Sequence, residues 1–481
     1  MELFFQGEPI SRRKLLAMSG LGFGTIALSS LLKADEQVHL YSDLKARDGH
    51  FPATAKAVIQ LMQNGGPSQM DLFDPKPELT KWAGKPHPQG VEISAGHNTN
   101  VLLASPFQFR RHGQSGIELS ETLPQLATVA DEICVIRSMY SEHNNHPEGL
   151  NMLLTCRIFA GRPVLGSWVS YALGTENQNL PAFVVLRDPE GYSTLGKQLW
   201  SSGWLPALYQ GVEFSSKGPP VKHLQPSIPL PPGVQREQLD TLARFDRLHQ
   251  SRHAGESELE ARIQNYELAA RMQLAAVDVL DISKESAATK KSYGLDNPVT
   301  EKYGLRCLMA RRLVEAGVRF VQVFPGLGQP WDHHFNLKKE LPETCANTDQ
   351  PMAALVKDLK SRGLLDSTVV LSAGEFGRLP TTQSNGTGSG RDHNRNAFSL
   401  WVAGGGIKNG LAYGETDEFG YKATVNRVGP ADLQATLLYL LGLDHKRLTF
   451  PHEGREETPT NVSVTNARVV GDILKKPPKE A

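Results

Sequence analysis

LRCLMARRLVEAGVRFVQVF, residues 305–324, sets a helix directly before a strand. Leu305–Ala316 reads as a helix closed by Gly317, and Val318–Phe324 as a strand with Arg-Phe-Val-Gln-Val in its core. The alternation continues downstream. Ala353–Arg362 is a helix before Gly363, and Ser367–Ser372 is a strand. Phe398–Ala403 is a strand before Gly404-Gly405-Gly406, and Pro430–Leu441 is a helix. Alternation of this kind implies an α/β fold, with a doubly wound, mainly parallel sheet and helices on both faces.

Working back from there, residues 56–62 form a buried strand that runs into the turn Asn64-Gly65-Gly66-Pro67. Ile133–Arg137 is a short strand, followed by a polar loop and a helix-like run near Leu150–Leu154. Phe183–Leu186 is a third strand. Residues 206–236 are rich in Pro and Gly and read as a long surface excursion. Residues 235–283 carry Leu239, Leu242, Phe245 and Leu248, then Ile263, Tyr266, Leu268 and Met272, at helical spacing. They form one or two amphipathic helices. The expected organisation is one domain over 50–460 with an insertion around 206–300, then a tail over 461–481.

At the N-terminus, Ser11-Arg12-Arg13-Lys14 precedes an uncharged stretch from Leu15 to Leu32. A basic patch before a modest apolar run is an export signal, and paired arginines there mark the twin-arginine route. Residues 1–34 are therefore read as a signal segment, and the expected location is periplasmic or extracellular. With no clean small-x-small cleavage site after it, a retained membrane anchor is the alternative reading. The rest of the chain has no stretch long and apolar enough to span a bilayer.

The 481 residues carry a formal net charge of zero, so nothing points to a nucleic-acid partner. Cys134, Cys156, Cys307 and Cys345 form no C-x-x-C pair, which argues against a cysteine zinc site.

In open α/β sheets, ligands bind beyond the carboxyl ends of the strands. Five distant segments bring chemistry to such ends. They are Asn64-Gly65-Gly66-Pro67 running on to Asp71, His143-Asn144-Asn145-His146, Trp331-Asp332-His333-His334, Gly374-Glu375-Phe376-Gly377-Arg378, and Gly390-Arg391-Asp392-His393. Carboxylates and imidazoles together suit Zn²⁺, Mn²⁺ or a similar divalent ion, with Ca²⁺ also a candidate. Arg378 or Arg391 could grip an anion with two parallel hydrogen bonds.

These segments, with Phe73-Asp74-Pro75-Lys76-Pro77, Gly161-Arg162-Pro163, Gly166-Ser167-Trp168 and Ser201-Ser202-Gly203, resemble the bacterial family of unknown function number 1501. That family is often labelled sulfatase-like and looks like a branch of the alkaline phosphatase and sulfatase superfamily. The resemblance spans about residues 50–460 and implies an alkaline phosphatase-like sheet carrying a mononuclear or binuclear metal site. It implies Asn64 or Asp71 as first ligand, and His146 near the nucleophile position with His143 beside it. Asp332 with His333 or His334 come next, then Glu375, and His393 with Asp392 complete the set. This chain departs from the pattern in four ways. No Ser, Thr or Cys aligns at the nucleophile position, and the Cys-x-Pro-x-Arg signature of formylglycine sulfatases is absent. Asn64 is a weaker ligand than Asp, and Phe376 stands where a His is expected. The expected function is hydrolysis of a phosphate or sulfate ester, small-molecule or glycan, aided by a metal. The alternative is a catalytically silent relative that binds an anionic glycan or a protein partner. A structural part of a larger envelope assembly is a third reading, with the 206–236 and 235–283 segments as its contact surfaces.

Overall fold

The computed structural model describes residues 43–92, 99–218, 233–252, 257–384 and 388–478. The twin-arginine segment lies outside them. Among the described residues no helix is long and apolar enough to cross a membrane.

The central strands are β1 (Ala57–Met62), β2 (Ile133–Met139), β3 (Phe183–Leu186), β4 (Val212–Phe214), β5 (Phe320–Val323) and β6 (Thr368–Ala373). A hairpin follows, β7 (Gly377–Thr382) and β8 (Arg391–Asn394), and then β9 (Phe398–Gly404) and β10 (Leu411–Tyr413). Eight of these form one sheet in the order β10-β2-β9-β6-β1-β5-β3-β4. The chain starts in the middle at β1 and builds outward both ways, which is the doubly wound arrangement expected. β9 runs antiparallel to both its neighbours, β2 and β6, while the other pairings in the sheet are parallel. Every residue of β1, β3, β5, β6 and β9 is buried. Both faces of the sheet are therefore covered, and the strands read as continuous apolar runs rather than alternating ones.

The direction of β9 decides where the site can form. The carboxyl ends of β1, β2, β5 and β6 share one edge of the sheet. Because β9 is reversed, its amino end lies on that same edge. The hairpin β7–β8 fills the connection from β6 to β9, so Arg378 and Arg391–His393 are held there too.

Among the helices are α1 (Gln69–Leu72), α2 (His146–Thr155), α3 (Leu165–Leu173), α4 (Val234–Arg252), α5 (Ser257–Leu280), α6 (Glu301–Glu315), α7 (Leu337–Ser361) and α8 (Pro430–Leu440). α6 closes at Ala316, with Gly317 at φ +91° making the left-handed turn into β5.

Three expectations need correction. α7 begins sixteen residues before the expected helix start at Ala353 and contains Pro342 and Pro351. Each proline removes a backbone hydrogen bond, but burial of Leu341, Cys345, Met352, Leu355, Val356 and Leu359 holds the run together. The Pro- and Gly-rich stretch from 206 is not wholly a surface excursion, because Val212–Phe214 extends the sheet as its edge strand β4. Its continuation over 219–232 lies outside the described residues. On α4 the stripe of Leu242, Phe245 and Leu248 is exposed rather than packed, whereas α5 buries Leu268, Met272, Ala276 and Leu280. All four cysteines are free and buried.

Candidate metal centre

His146 is the first residue of α2, which starts after the extended Asn145 and carries Pro147 in its first turn. Its ring is pinned from behind. Nδ1 lies 2.6 Å from Oε1 of Glu375, and the Glu375 carboxylate also accepts the Gly65 N–H at 2.9 Å. Gly65 is required there. Its φ is +117°, and a Cβ would meet the backbone nitrogens of Trp331 and Asp332 at 2.7 Å. This close approach lets the loop after β5 rest on the turn after β1.

That loop delivers Asp332 and His334. His334 Nε2 lies 2.9 Å from Asp332 Oδ1, and its Nδ1 bonds Gln383 Oε1. His393, in β8, sends Nδ1 to the carbonyl of Asn144 at 2.7 Å, with Nε2 3.2 Å from Asp332 Oδ1. Gly390 permits this packing, because a Cβ on it would strike the backbone of His333 and His334 at 2.3–2.4 Å.

A common design emerges. Each of His146, His334 and His393 spends its Nδ1 on an outer acceptor, which leaves Nε2 facing inward. The three Nε2 atoms converge on one carboxylate. His146 Nε2 is buried and lies 3.3 Å from Asp332 Oδ2. His334 Nε2 and His393 Nε2 are 3.0 Å apart. In neutral rings these two atoms would set lone pair against lone pair, so a proton or a cation is needed between them. His146, Asp332 and His393 offer ligand atoms within 4.8 Å of one another, and so do His334, Asp392 and His393. Two imidazole nitrogens and a carboxylate oxygen in each group suit a divalent ion of the zinc or manganese kind.

The electrostatics agree with that arrangement. Burial works to raise the Asp332 pKa, but hydrogen bonds from His146, His334 and His393 and the Arg378 charge drive it far below the usual carboxylate range. Burial works to lower the His146 pKa. Its bonds with Asp332 and Glu375 outweigh that, so it stands above 6.5. The His393 pKa is lowered, by burial first and then by Arg378 and His146, against the pull of Asp332.

Several expected site residues have other partners. Glu375 stands behind His146 and orients it, rather than joining the inward-facing ligand atoms. Asp71 is not in the cluster. Both its oxygens are taken by Arg391, at 2.6 and 3.1 Å, and Ser68 donates to it at 2.5 Å. Arg391 is thus spent on a buried pair and on the Leu103 carbonyl, and its guanidinium does not grip an exposed anion. Arg378 is likewise committed. It donates to the carbonyls of Gly66 and Arg391 and to Asp332 Oδ1, so it ties the loops together and neutralises Asp332. His143 faces outward, and its Nδ1 accepts the Asn145 N–H at 3.1 Å. His333 turns to Thr344 on α7 at 3.1 Å, and burial with the Arg378 charge brings its pKa down to about 4. Cys156 lies at the far end of α2, where burial pushes its thiol pKa well up and leaves it inert.

Sequence reading missed the outer partners. Asn144 contributes a backbone carbonyl, and the Gly65 N–H carries no side-chain signal at all. Gln383 sits outside the recognisable segments. Phe376, noted only as a departure from His, is the apolar floor under two of the imidazoles. Its ring centroid lies 4.9 Å from His146 and 4.6 Å from His393.

No curated protein matches the chain. Solved structures that it resembles include the lipoteichoic acid synthase LtaP from Listeria monocytogenes, at 10% identity over 85% of this chain and 78% of that one, with a TM-score of 0.34. The PsFucS1 sulfatase from Pseudoalteromonas sp. follows at 15% identity over 80% and 68%, with a TM-score of 0.31. The alkaline phosphatase TAB5, as a His 135 Glu mutant with Mg bound, follows at 10% identity over 82% and 99%, with a TM-score of 0.34. A family model described as a protein of unknown function, DUF1501, matches residues 55–474, a span that contains the whole central sheet and every residue of the imidazole cluster, and the chain belongs to that family.

Proposed function

We propose that the chain is a metal-dependent hydrolase of phosphate or sulfate esters, exported through the twin-arginine route, with esters of glycans among its substrates. The observation that carries the reading is the inward convergence of Nε2 from His146, His334 and His393 on Asp332, with each Nδ1 held from outside. His146, Asp332 and His393, with His334 and Asp392 alongside, would hold a divalent ion, which would supply Lewis acidity to a phosphoryl or sulfuryl oxygen. The chain's own residues do the rest. Glu375 keeps the His146 proton on Nδ1 and the ring in place. Arg378 offsets the Asp332 charge, so the half-buried carboxylate stays ionised. Phe376 keeps one side of the cluster dry.

The test is a metal analysis of protein produced with its own leader, alongside turnover of aryl phosphate and aryl sulfate. Bound zinc or manganese and metal-dependent release of phosphate or sulfate are expected. Asp332→Ala and His393→Ala should remove both. A protein that takes up no divalent ion and hydrolyses neither ester with any added ion would overturn the reading. Metal uptake with binding but no turnover would favour the silent relative. The lack of an aligned Ser, Thr or Cys nucleophile is what keeps that second reading in view.

A further inference from the structure

The far end of α2 opens on a second concave feature. After Cys156 the chain turns through Arg157–Arg162, and this turn faces the hairpin of Phe450–His452 with Arg455–Glu457 and the short helix Val462–Thr465. Between them is a cleft of about 430 Å³. Arg162 builds its back wall, with Nη1 2.6 Å from Glu457 Oε2 and Nη2 donating to the Thr458 carbonyl at 2.8 Å.

The chemistry left over in the cleft is one-sided. Asn461 in its lining is only 8% exposed, yet its amide nitrogen meets no acceptor, and the buried Nε of Arg162 meets none either. Both unsatisfied atoms are donors. Arg157 and Arg455 line the cleft without a carboxylate partner among the described residues, while Glu457 is already taken by Arg162. Glu456 remains as a counter-charge, so the unpaired groups sum to one positive charge. Phe159 stands 67% exposed on one side and Val464 is exposed too, which gives a flat apolar surface next to the donors. Donors without acceptors call for an acceptor-rich ligand, and an exposed ring next to cations suits a sugar face carrying an acidic group.

We propose that this cleft binds an acidic saccharide unit, with the sugar ring on Phe159 and its sulfate or carboxylate between Arg157 and Arg455. The site does not rest on the metal-centre reading. It begins about 15 Å from His146, the length of a ten-residue helix, and would anchor an acidic polymer independently of any reaction.

The test is electrophoresis of the full protein through gels containing dextran sulfate, polygalacturonate or neutral dextran. Retardation by one or both acidic polymers, and not by dextran, is expected, and the two acidic arms separate sulfate from carboxylate recognition. Arg157→Ala should weaken the retardation about tenfold, the scale of one charged hydrogen bond, and Phe159→Ala should weaken it as well. Arg244→Ala, an exposed arginine on α4, should leave it unchanged. No retardation by either acidic polymer would overturn the proposal. So would retardation that Phe159→Ala leaves intact or that Arg244→Ala reduces equally, since that is non-specific charge. Metal content and aryl-ester turnover, read on the same samples, keep a failure here distinct from a failure of the hydrolase reading.

Discussion

Glu375 and Arg391 are both buried charged residues at the edge of the sheet that carries the imidazole cluster, and they predict different phenotypes. Glu375 touches no inward-facing ligand atom but fixes the tautomer and angle of His146. Removal of such an outer partner typically weakens metal binding 10–100-fold. Glu375→Gln should therefore lower zinc affinity by about that factor in a chelator competition, while the fold survives. Arg391 pairs with Asp71, and neither side chain is exposed. Arg391→Ala would strand that carboxylate and should cost about 3–5 kcal/mol in chemical denaturation. Replacing both partners, Asp71→Leu with Arg391→Met, should restore much of that loss, because no unpaired charge remains. These two roles were not legible in sequence. The segments carrying Asp71, Glu375 and Arg391 all show acid or base near a strand end. Which carboxylate stands behind an imidazole and which faces a guanidinium is set by contacts across 229 and 320 positions.

At the scale of elements, the site depends on loops that touch backbone to backbone. Gly65→Ala would press a Cβ into the loop holding Asp332 and would strain a φ of +117°. A loss of about 2 kcal/mol or more in stability is expected, together with weaker metal binding. The reverse case is α4, whose Phe245 is exposed. Phe245→Glu should change stability by no more than about 0.5 kcal/mol, which thermal melting can check. Element by element, the strands were the most readable part. Phe183–Leu186 and the strand ending at Met62 form where the apolar runs put them. The start of α7 and the hairpin β7–β8 were not readable. Prolines masked the first, and the second is a buried polar segment with no apolar alternation to announce it.

At the scale of the whole molecule, a bound metal would compete with protons for one cluster. The His146 pKa is raised in the folded state, so protonated His146 contributes stability fully below pH 6.5, and that stability is lost as pH rises through the folded value. The metal-free protein should therefore lose stability above about pH 6.5. Metal must displace that proton, so affinity should rise with pH and binding should release a proton. Denaturation with and without chelator, and calorimetry in buffers of different ionisation enthalpy, would check both. A pH-independent stability above 6.5 without metal would contradict the assigned hydrogen bonds. The sequence alone determined the alternation of apolar strands and helices, and with it a mainly parallel sheet, because burial on both faces writes itself into local composition. It also showed that acids and imidazoles gather after the strands. Only the tertiary structure decided that β9 runs backward and brings His393 to the same edge as Asp332, and that three imidazoles turn their Nε2 atoms inward. Strand direction and ring orientation follow from long-range packing and hydrogen bonds, and no local run of residues contains either.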